Sequence, residues 1–255
     1  MADGRFDLKG KTVIVTGAGR GLGRAIARGI AKAGATTIVA GRTAAALQEA
    51  AHEMRQAGGD ARAAVFDATK REDVDRLVAE AAPGGRLDAI VINHGVSLSK
   101  AAEETTEAEM EAVLAVNVRS AFSCAQAAGR RMIAQGGGSI VFVSSTASKV
   151  GFASLVAYGA SKGGVDQIVR QLAVEWGPKG VRVNAINPGY TTNDMAGTEK
   201  RHADPALNAE MRRLTPMQRR GEPWEFAGPA VFFCSDASSF VNGFCLDVDG
   251  GYCAM

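Results

Sequence analysis

Hydrophobic and polar positions follow two alternating patterns along this chain. Short β-branched runs recur at Thr12–Thr16, Thr36–Ala40, Ala63–Phe66, Ala89–Ile92, Ser139–Ser144, Val181–Ile186 and Phe244–Val248. Each is a continuous apolar run, the pattern of strands covered on both faces. Between them, apolar residues return at helical spacing over 22–33, 43–57, 70–81, 106–135, 156–176 and 222–235, with 106–135 long enough for two helices. The order predicts an α/β fold: a doubly wound, seven-stranded parallel sheet flanked by helices. A (β/α)8 barrel competes at this length, but only seven units are present and the glycine-rich turn follows the first strand rather than the last two. No internal repeat or proline-rich linker divides residues 1–255, so a single domain is expected. The least regular stretch is 193–221, which holds Gly197, Pro205, Pro216 and many charges, as a loop-borne lid would.

Composition narrows the class. The chain has 255 residues, 46% hydrophobic and 22% charged, with 29 Lys+Arg against 27 Asp+Glu. At this size folding buries roughly three quarters of the unfolded surface, so no metal or disulfide staple is needed. A net charge of +2, without basic clusters interleaved with aromatics, argues against a nucleic-acid partner. Cys124, Cys234, Cys245 and Cys253 form no CxxC pair and the three histidines are scattered, so no metal or haem site is expected and the thiols should be reduced. The first residues, MADGRFDLKGK, contain no apolar core, and no run approaches the roughly 18–20 apolar residues of a membrane span. A cytoplasmic protein without a membrane partner is expected. One excess stands out: 31 of 255 residues are glycine, about 12%, against ~7% in an average protein.

Part of that excess lies in Thr16-Gly17-Ala18-Gly19-Arg20-Gly21-Leu22-Gly23, directly after the first strand. The spacing is TGxxxGxG rather than GxGxxG. Glycines here allow a sharp turn, close approach of backbone N–H groups to a pyrophosphate and tight helix packing, while the helix N-terminus faces the phosphate. Further along, Tyr158 and Lys162 stand four residues apart on one helix face. A phenol ionises near pH ~10, and an adjacent ammonium favours its phenolate, so the pair suits proton transfer. Ser144-Ser145 closes the fifth strand, at the carboxyl edge where open α/β sheets bind ligands. A hydroxyl there can donate to a substrate carbonyl. A nucleophilic serine is disfavoured, because no GxSxG elbow or suitably placed histidine accompanies it.

Together with Asp67, Ile92-Asn93-His94-Gly95, Asn117 and Pro188-Gly189-Tyr190-Thr191, these motifs resemble, in order and from about Leu8 to Tyr252, the classical short-chain dehydrogenase/reductase family. The resemblance implies a Rossmann fold. It also implies a nicotinamide cofactor held by Gly17, Arg20, Gly21, Leu22, Gly23, Arg42, Asp67, Ala68, Asn93, Gly95, Tyr158, Lys162, Pro188, Gly189 and Thr191. The catalytic set it implies is Asn117, Ser145, Tyr158 and Lys162: Ser145 lies thirteen residues before Tyr158, Lys162 also holds the nicotinamide ribose, and Asn117 anchors a water serving Lys162. Asp67 would contact adenine, although Ala68 replaces a larger aliphatic; its other reading is a turn aspartate. Gly189 belongs to a turn facing the carboxamide. Where many members have threonine five residues after Pro188, this chain has Asn193.

Gly41 occupies the place of the acid that binds a ribose 2′-hydroxyl, and Arg42 follows it; with Arg20 this predicts NADP(H), NAD(H) being the alternative. His94 and Ile92 depart from the family's Asn-Asn-Ala-Gly, and His94 either shapes the pocket or is a satisfied structural residue. The expected reaction moves a hydride between NADP(H) and a ketone or secondary alcohol, with a small polar substrate such as a sugar acid or polyol. A 3-oxoacyl-[acyl-carrier-protein] reductase is the alternative enzyme, and an inactive nucleotide-binding regulator the alternative of another class. Six Lys/Arg against four Asp/Glu between Asp194 and Arg220 fit either an anionic substrate or a solvated lid face. Small residues Ala157, Gly159, Ala160, Gly163 and Gly164 on the 156–176 helix permit close helix pairing, and the resemblance implies a homotetramer or homodimer.

Overall fold

The computed structural model describes residues 4–83, 85–192 and 204–255. Seven strands form one sheet in the order β3-β2-β1-β4-β5-β6-β7. They are β1 (Thr12–Thr16), β2 (Thr36–Gly41), β3 (Asp60–Val65), β4 (Ala89–Ile92), β5 (Gly138–Val143), β6 (Val181–Pro188) and β7 (Cys245–Val248). Every pairing is parallel. The uninterrupted apolar runs follow from this layering. Ile14, Ile38, Ile90 and Ile140 face one core, while their neighbours Val13, Val39, Val91 and Val141 face the other.

Connecting helices α1 (Gly21–Lys32), α2 (Ala44–Gln56) and α3 (Arg71–Ala81) follow the first three strands. The 106–135 stretch divides as expected into α4 (Glu107–Leu114) and α5 (Ser120–Ala134), but the two are joined by a π-helical turn, Ala115–Arg119. A capping box starts α4, with the Thr106 hydroxyl accepting from the Glu109 amide and Glu109 accepting from the Thr106 amide. Next comes α6 (Val156–Trp176). Chain order reverses between β1 and β4, and at such a switch point the crevice opens at the strands' carboxyl ends.

Three expectations shift. The apolar pattern places the third strand at Ala63–Phe66, whereas it runs Asp60–Val65. It pairs only with β2 at the sheet edge, so Asp60 and Arg62 can face solvent and hide its first half from an apolar search. The 222–235 stretch is a 3-10 turn, Pro223–Phe226, followed by a shorter helix. Within 193–221, residues 193–203, including Asn193, Asp194 and Gly197, lie outside the described residues, and Pro205–Leu214 is a regular helix, α7. Its N-cap Asp204 accepts from the amides of Ala206 and Leu207, and Pro205 sits where no amide is needed. The last helix, α8, spans Ala227–Cys234. Among the described residues, no helix is long and apolar enough to cross a membrane.

Candidate active site

A cleft of about 600 Å³ opens at the switch point. Thr16 at the end of β1 is level with Ala40 of β2 and Ile92 of β4, so Gly17, Gly41 and Asn93 emerge side by side. Gly17 turns the chain at φ 65°, a conformation costly for other residues. A Cβ on Gly23 would stand 2.3 Å from the Gly17 carbonyl oxygen and 2.4 Å from Asn93 Nδ2. Asn93 Nδ2 donates to the carbonyls of Thr16 and Gly17, 3.2 Å each, fixing the turn. Gly21, Leu22 and Gly23 bring the N-terminus of α1 to the cleft, where its unpaired amides suit an anion. Arg20 and Arg42 are both exposed at the rim. Asp67 and Ala68 line the same wall. The Asp67 carboxylate accepts from the amide and hydroxyl of Thr69, at 3.0 and 2.7 Å, and these bonds hold it below the usual carboxylate range. Its turn role is therefore present along with its place in the cleft.

At the other end of the cleft lie Gly95, Ser145, Tyr158, Lys162, Pro188, Gly189 and Thr191. The two serines closing β5 divide their tasks. Ser144 is buried and its hydroxyl donates to the Lys162 carbonyl at 3.3 Å, tying strand to helix. Ser145 is half-buried, and its Oγ accepts from the Ala147 amide at 3.1 Å. Tyr158 and Lys162 lie in the first turns of α6, and the Tyr158 and Ser145 side chains face the same cleft. Lys162 Nζ sits 5.6 Å from the centre of the Tyr158 ring and donates to the Val143 carbonyl at 2.8 Å.

Asn117 is the one residue of the expected set that does not line the cleft. It lies in the middle of the π turn and is buried. Its Oδ1 accepts from the Val96 amide, and its Nδ2 donates to the Val96 carbonyl, both at 2.8 Å. Nδ2 also donates to Ser161 Oγ at 3.0 Å. A methyl group at Gly95 would lie 3.2 Å from Asn117 Oδ1 and 3.8 Å from Lys162 Nζ, so Gly95 keeps open the gap between them.

Comparison with known proteins decides the family. A family model described as enoyl-(acyl carrier protein) reductase matches residues 17–253. Galactitol 2-dehydrogenase (L-tagatose-forming) of Cereibacter sphaeroides is 43% identical over 253 residues, covering 97% of this chain and 96% of that protein. Gluconate 5-dehydrogenase of Gluconobacter oxydans is 36% identical over 247 residues, covering 96% of each. The crystal structure of a gluconate 5-dehydrogenase from Burkholderia cenocepacia in complex with NADP and tartrate superposes with a TM-score of 0.94 at 33% identity, covering 100% of both chains. The chain belongs to the short-chain dehydrogenase/reductase family. As a member it is an oxidoreductase acting on CH–OH groups.

In this short-chain dehydrogenase/reductase, Lys162 and an oxidised nicotinamide together would favour the Tyr158 phenolate. In the protein alone, burial pushes the hydroxyl up, opposed by the nearby Ser145 side chain. Burial also lowers Lys162 itself to about 8, with Asp166 opposing. In the protein alone Tyr158 is a neutral acid.

His94 proves to be fully engaged. Its Nδ1 is 2.8 Å from Thr16 Oγ1, its Nε2 is 2.9 Å from Ser120 Oγ, and its ring meets Phe66 edge-on. Burial, helped by Lys162 and Arg42 and opposed by Asp67, lowers it from 6.5 to about 4. Above pH 6.5 it is neutral in both folded and unfolded chains. Between 6.5 and about 4 the unfolded chain takes up a proton that the folded one refuses, so stability falls with pH. The loss should reach roughly 3 kcal/mol at the lower end. Denaturant titrations at several pH values should show a steeper slope between 6.5 and about 4 in the wild type than in His94→Gln; equal slopes would reject it.

Sequence reasoning missed several neighbours of the site. Phe66, Thr69, Val96 and Val116 line the cleft without belonging to any motif. Phe152, Tyr190 and Tyr252 gather from three loops, Phe152 and Tyr252 stacked at 5.6 Å with Tyr190 edge-on to both. Nothing in their spacing announces that contact. The paired arginines Arg219 and Arg220 are partly structural. Arg219 forms a two-pronged ion pair with Glu225, at 2.7 and 2.8 Å. Arg220 donates to the Thr191 carbonyl and to Asn208 on α7.

Proposed function

We propose that this enzyme transfers hydride between NADP(H) and a ketone or secondary alcohol on a sugar acid or polyol. The observation that carries the reading is one cleft joining Tyr158, Lys162 and Ser145 to a glycine turn rimmed by Arg20 and Arg42. The likeness of the whole chain to galactitol and gluconate dehydrogenases supports the substrate class. The cradle fits the cofactor: backbone lies where a Cβ on Gly23 would stand, and two exposed cations, with no acid at Gly41, suit a 2′-phosphate.

The bound nicotinamide supplies or accepts the hydride. The Ser145 hydroxyl donates to the substrate oxygen and holds it beside Tyr158. In reduction Tyr158 gives that oxygen its proton, and in oxidation it removes one. Lys162, whose amine is lowered only to about 8, is mostly charged at neutral pH and stabilises the phenolate left behind. Asn117, packed behind Gly95, holds the route by which Lys162 regains a proton from solvent. Residues 193–221 act as the substrate lid, with Arg220 linking α7 to the floor of the cleft.

The cofactor assignment is tested by Arg42→Ala. A charge-assisted contact contributes about 1.5–3 kcal/mol, so kcat/KM for NADPH should fall about tenfold or more while that for NADH holds. A wild-type preference for NADH of about tenfold would overturn the assignment. Turnover of an acetoacetyl thioester in place of polar ketones would favour the acyl-carrier reading suggested by the family model's description. An inactive regulator is disfavoured because Asn117, Ser145, Tyr158 and Lys162 are all present. We further propose a cytoplasmic homotetramer pairing through α6, for which sedimentation is the check.

A further inference from the structure

His94 stands between three parts of the site that are distant in sequence: the end of β1, the π turn and the first residue of α5. Its hydrogen bonds have one consistent polarity. Ser120 Oγ lies 2.5 Å from the Val116 carbonyl oxygen, and two oxygens so close need a proton between them; Ser120 therefore donates there. It must then accept from His94, which places the ring proton on Nε2. Nδ1, left bare, accepts the Thr16 hydroxyl proton at 2.8 Å. Thr16 Oγ1 in turn accepts from the Asn93 amide at 3.0 Å. The Val91 carbonyl, 3.4 Å from Thr16 Oγ1, is the more distant acceptor for that hydroxyl, and no ring nitrogen is left over.

The far end of this chain matters most. A π turn departs from the α-helical ladder, and a main-chain carbonyl within it needs support. The Ser120 hydroxyl, bonding back four residues, gives that support to Val116. Val116 precedes Asn117, whose side chain holds both polar groups of Val96 and reaches Ser161. The hydroxyl of a serine is a rotor, and the imidazole N–H, by donating to its oxygen, holds the hydroxyl proton toward Val116. We propose that His94 is a positioning residue: through Ser120 it braces the π turn carrying Asn117 against the end of the nucleotide-binding strand. The consequence rests on the catalytic reading above: His94 sets how readily Lys162 and Tyr158 regain a proton, not how tightly the cofactor binds.

The test combines kinetics with a readout that needs no turnover. With NADPH and a keto sugar acid, His94→Ala and Ser120→Ala should each lower kcat about tenfold, the scale of one net hydrogen bond. KM for NADPH should stay within about twofold, because the loss arises after binding. The double variant should be no slower than the slower single one, since both cut one connection. The solvent deuterium isotope effect on kcat should rise in all three, and His94→Gln, whose amide can reach Ser120, should recover most of the rate. Additive losses, a loss carried by KM for NADPH, or unchanged kcat would overturn the brace. Independently, nitrogen-15 NMR of labelled histidine, with His94 assigned through His94→Gln, should show Nε2 protonated and Nδ1 bare at neutral pH. A proton on Nδ1, or rapid averaging of both tautomers, would refute the polarity argued here. Should the wild type reduce no ketone, the catalytic reading fails, and the NMR result still decides the brace.

Discussion

Tyr158→Phe should reduce kcat by about 10²–10⁴-fold, the range associated with a positioned acid or base. The substitution removes one oxygen and keeps the ring, so the packing beneath Lys162 Nζ persists. Burial holds the phenol in its protonated form, with the nearby Ser145 side chain opposing. Loss of the hydroxyl therefore removes the acid without opening a cavity. Titration of NADPH by fluorescence should give a Kd close to wild type, and the melting temperature should move little. Turnover near the wild-type rate would sink the assignment of Tyr158. The residual rate should also lose the pH dependence of the tyrosine, which separates loss of the acid from general damage.

Gly23→Ala should abolish tight cofactor binding. The added methyl would meet the Gly17 carbonyl oxygen at 2.3 Å and Asn93 Nδ2 at 2.4 Å, both parts of the turn itself. These are backbone and a side chain pinned by two hydrogen bonds, so neither can rotate aside. Overpacking of this kind costs about 1–3 kcal/mol in stability. The turn that approaches the pyrophosphate must move as well, and Kd for NADPH should rise about tenfold or more on the same scale. Gly19→Ala is the control. Its Cβ would meet Ala46 at 3.3 Å, and its φ is not among the positive ones. A milder effect there is expected in both calorimetry and NADPH titration; equal damage at the two positions would contradict the TGxxxGxG reading.

The contrast between these two glycines shows what was legible in the chain. Backbone approach leaves a trace in sequence because only one residue type permits it, and the turn after β1 was readable for that reason. The sheet was readable because neighbours such as Val13 and Ile14 feed opposite cores, which demands continuous apolar runs. Tyr158, Lys162 and Ser145 were readable through their fixed spacing. Edge strand β3 was read late because one of its flanks faces water and tolerates Asp60 and Arg62. Helix α7 was hidden by prolines and charges whose capping role at Asp204 and Pro205 resembles that of a loop. The bonds of His94 to Thr16 and Ser120 span 78 and 26 residues, and no local pattern encodes a contact at that distance. The upward shift of Tyr158 was likewise invisible, because enclosure depends on everything packed around it.

The π turn between α4 and α5 also makes chain length itself informative. Such a turn holds about one residue more than the α-helical ladder would, and each residue on an α-helix advances the direction of a side chain by roughly 100°. Deleting Val118 would let the ladder close into one regular helix, with every named side chain of the site still present. Asn117 would then swing by about that angle relative to α5 and part from Val96 and Ser161. Insertions and deletions between Glu107 and Ala134 should therefore be rarer among active relatives than substitutions, because here the count of residues is part of the site.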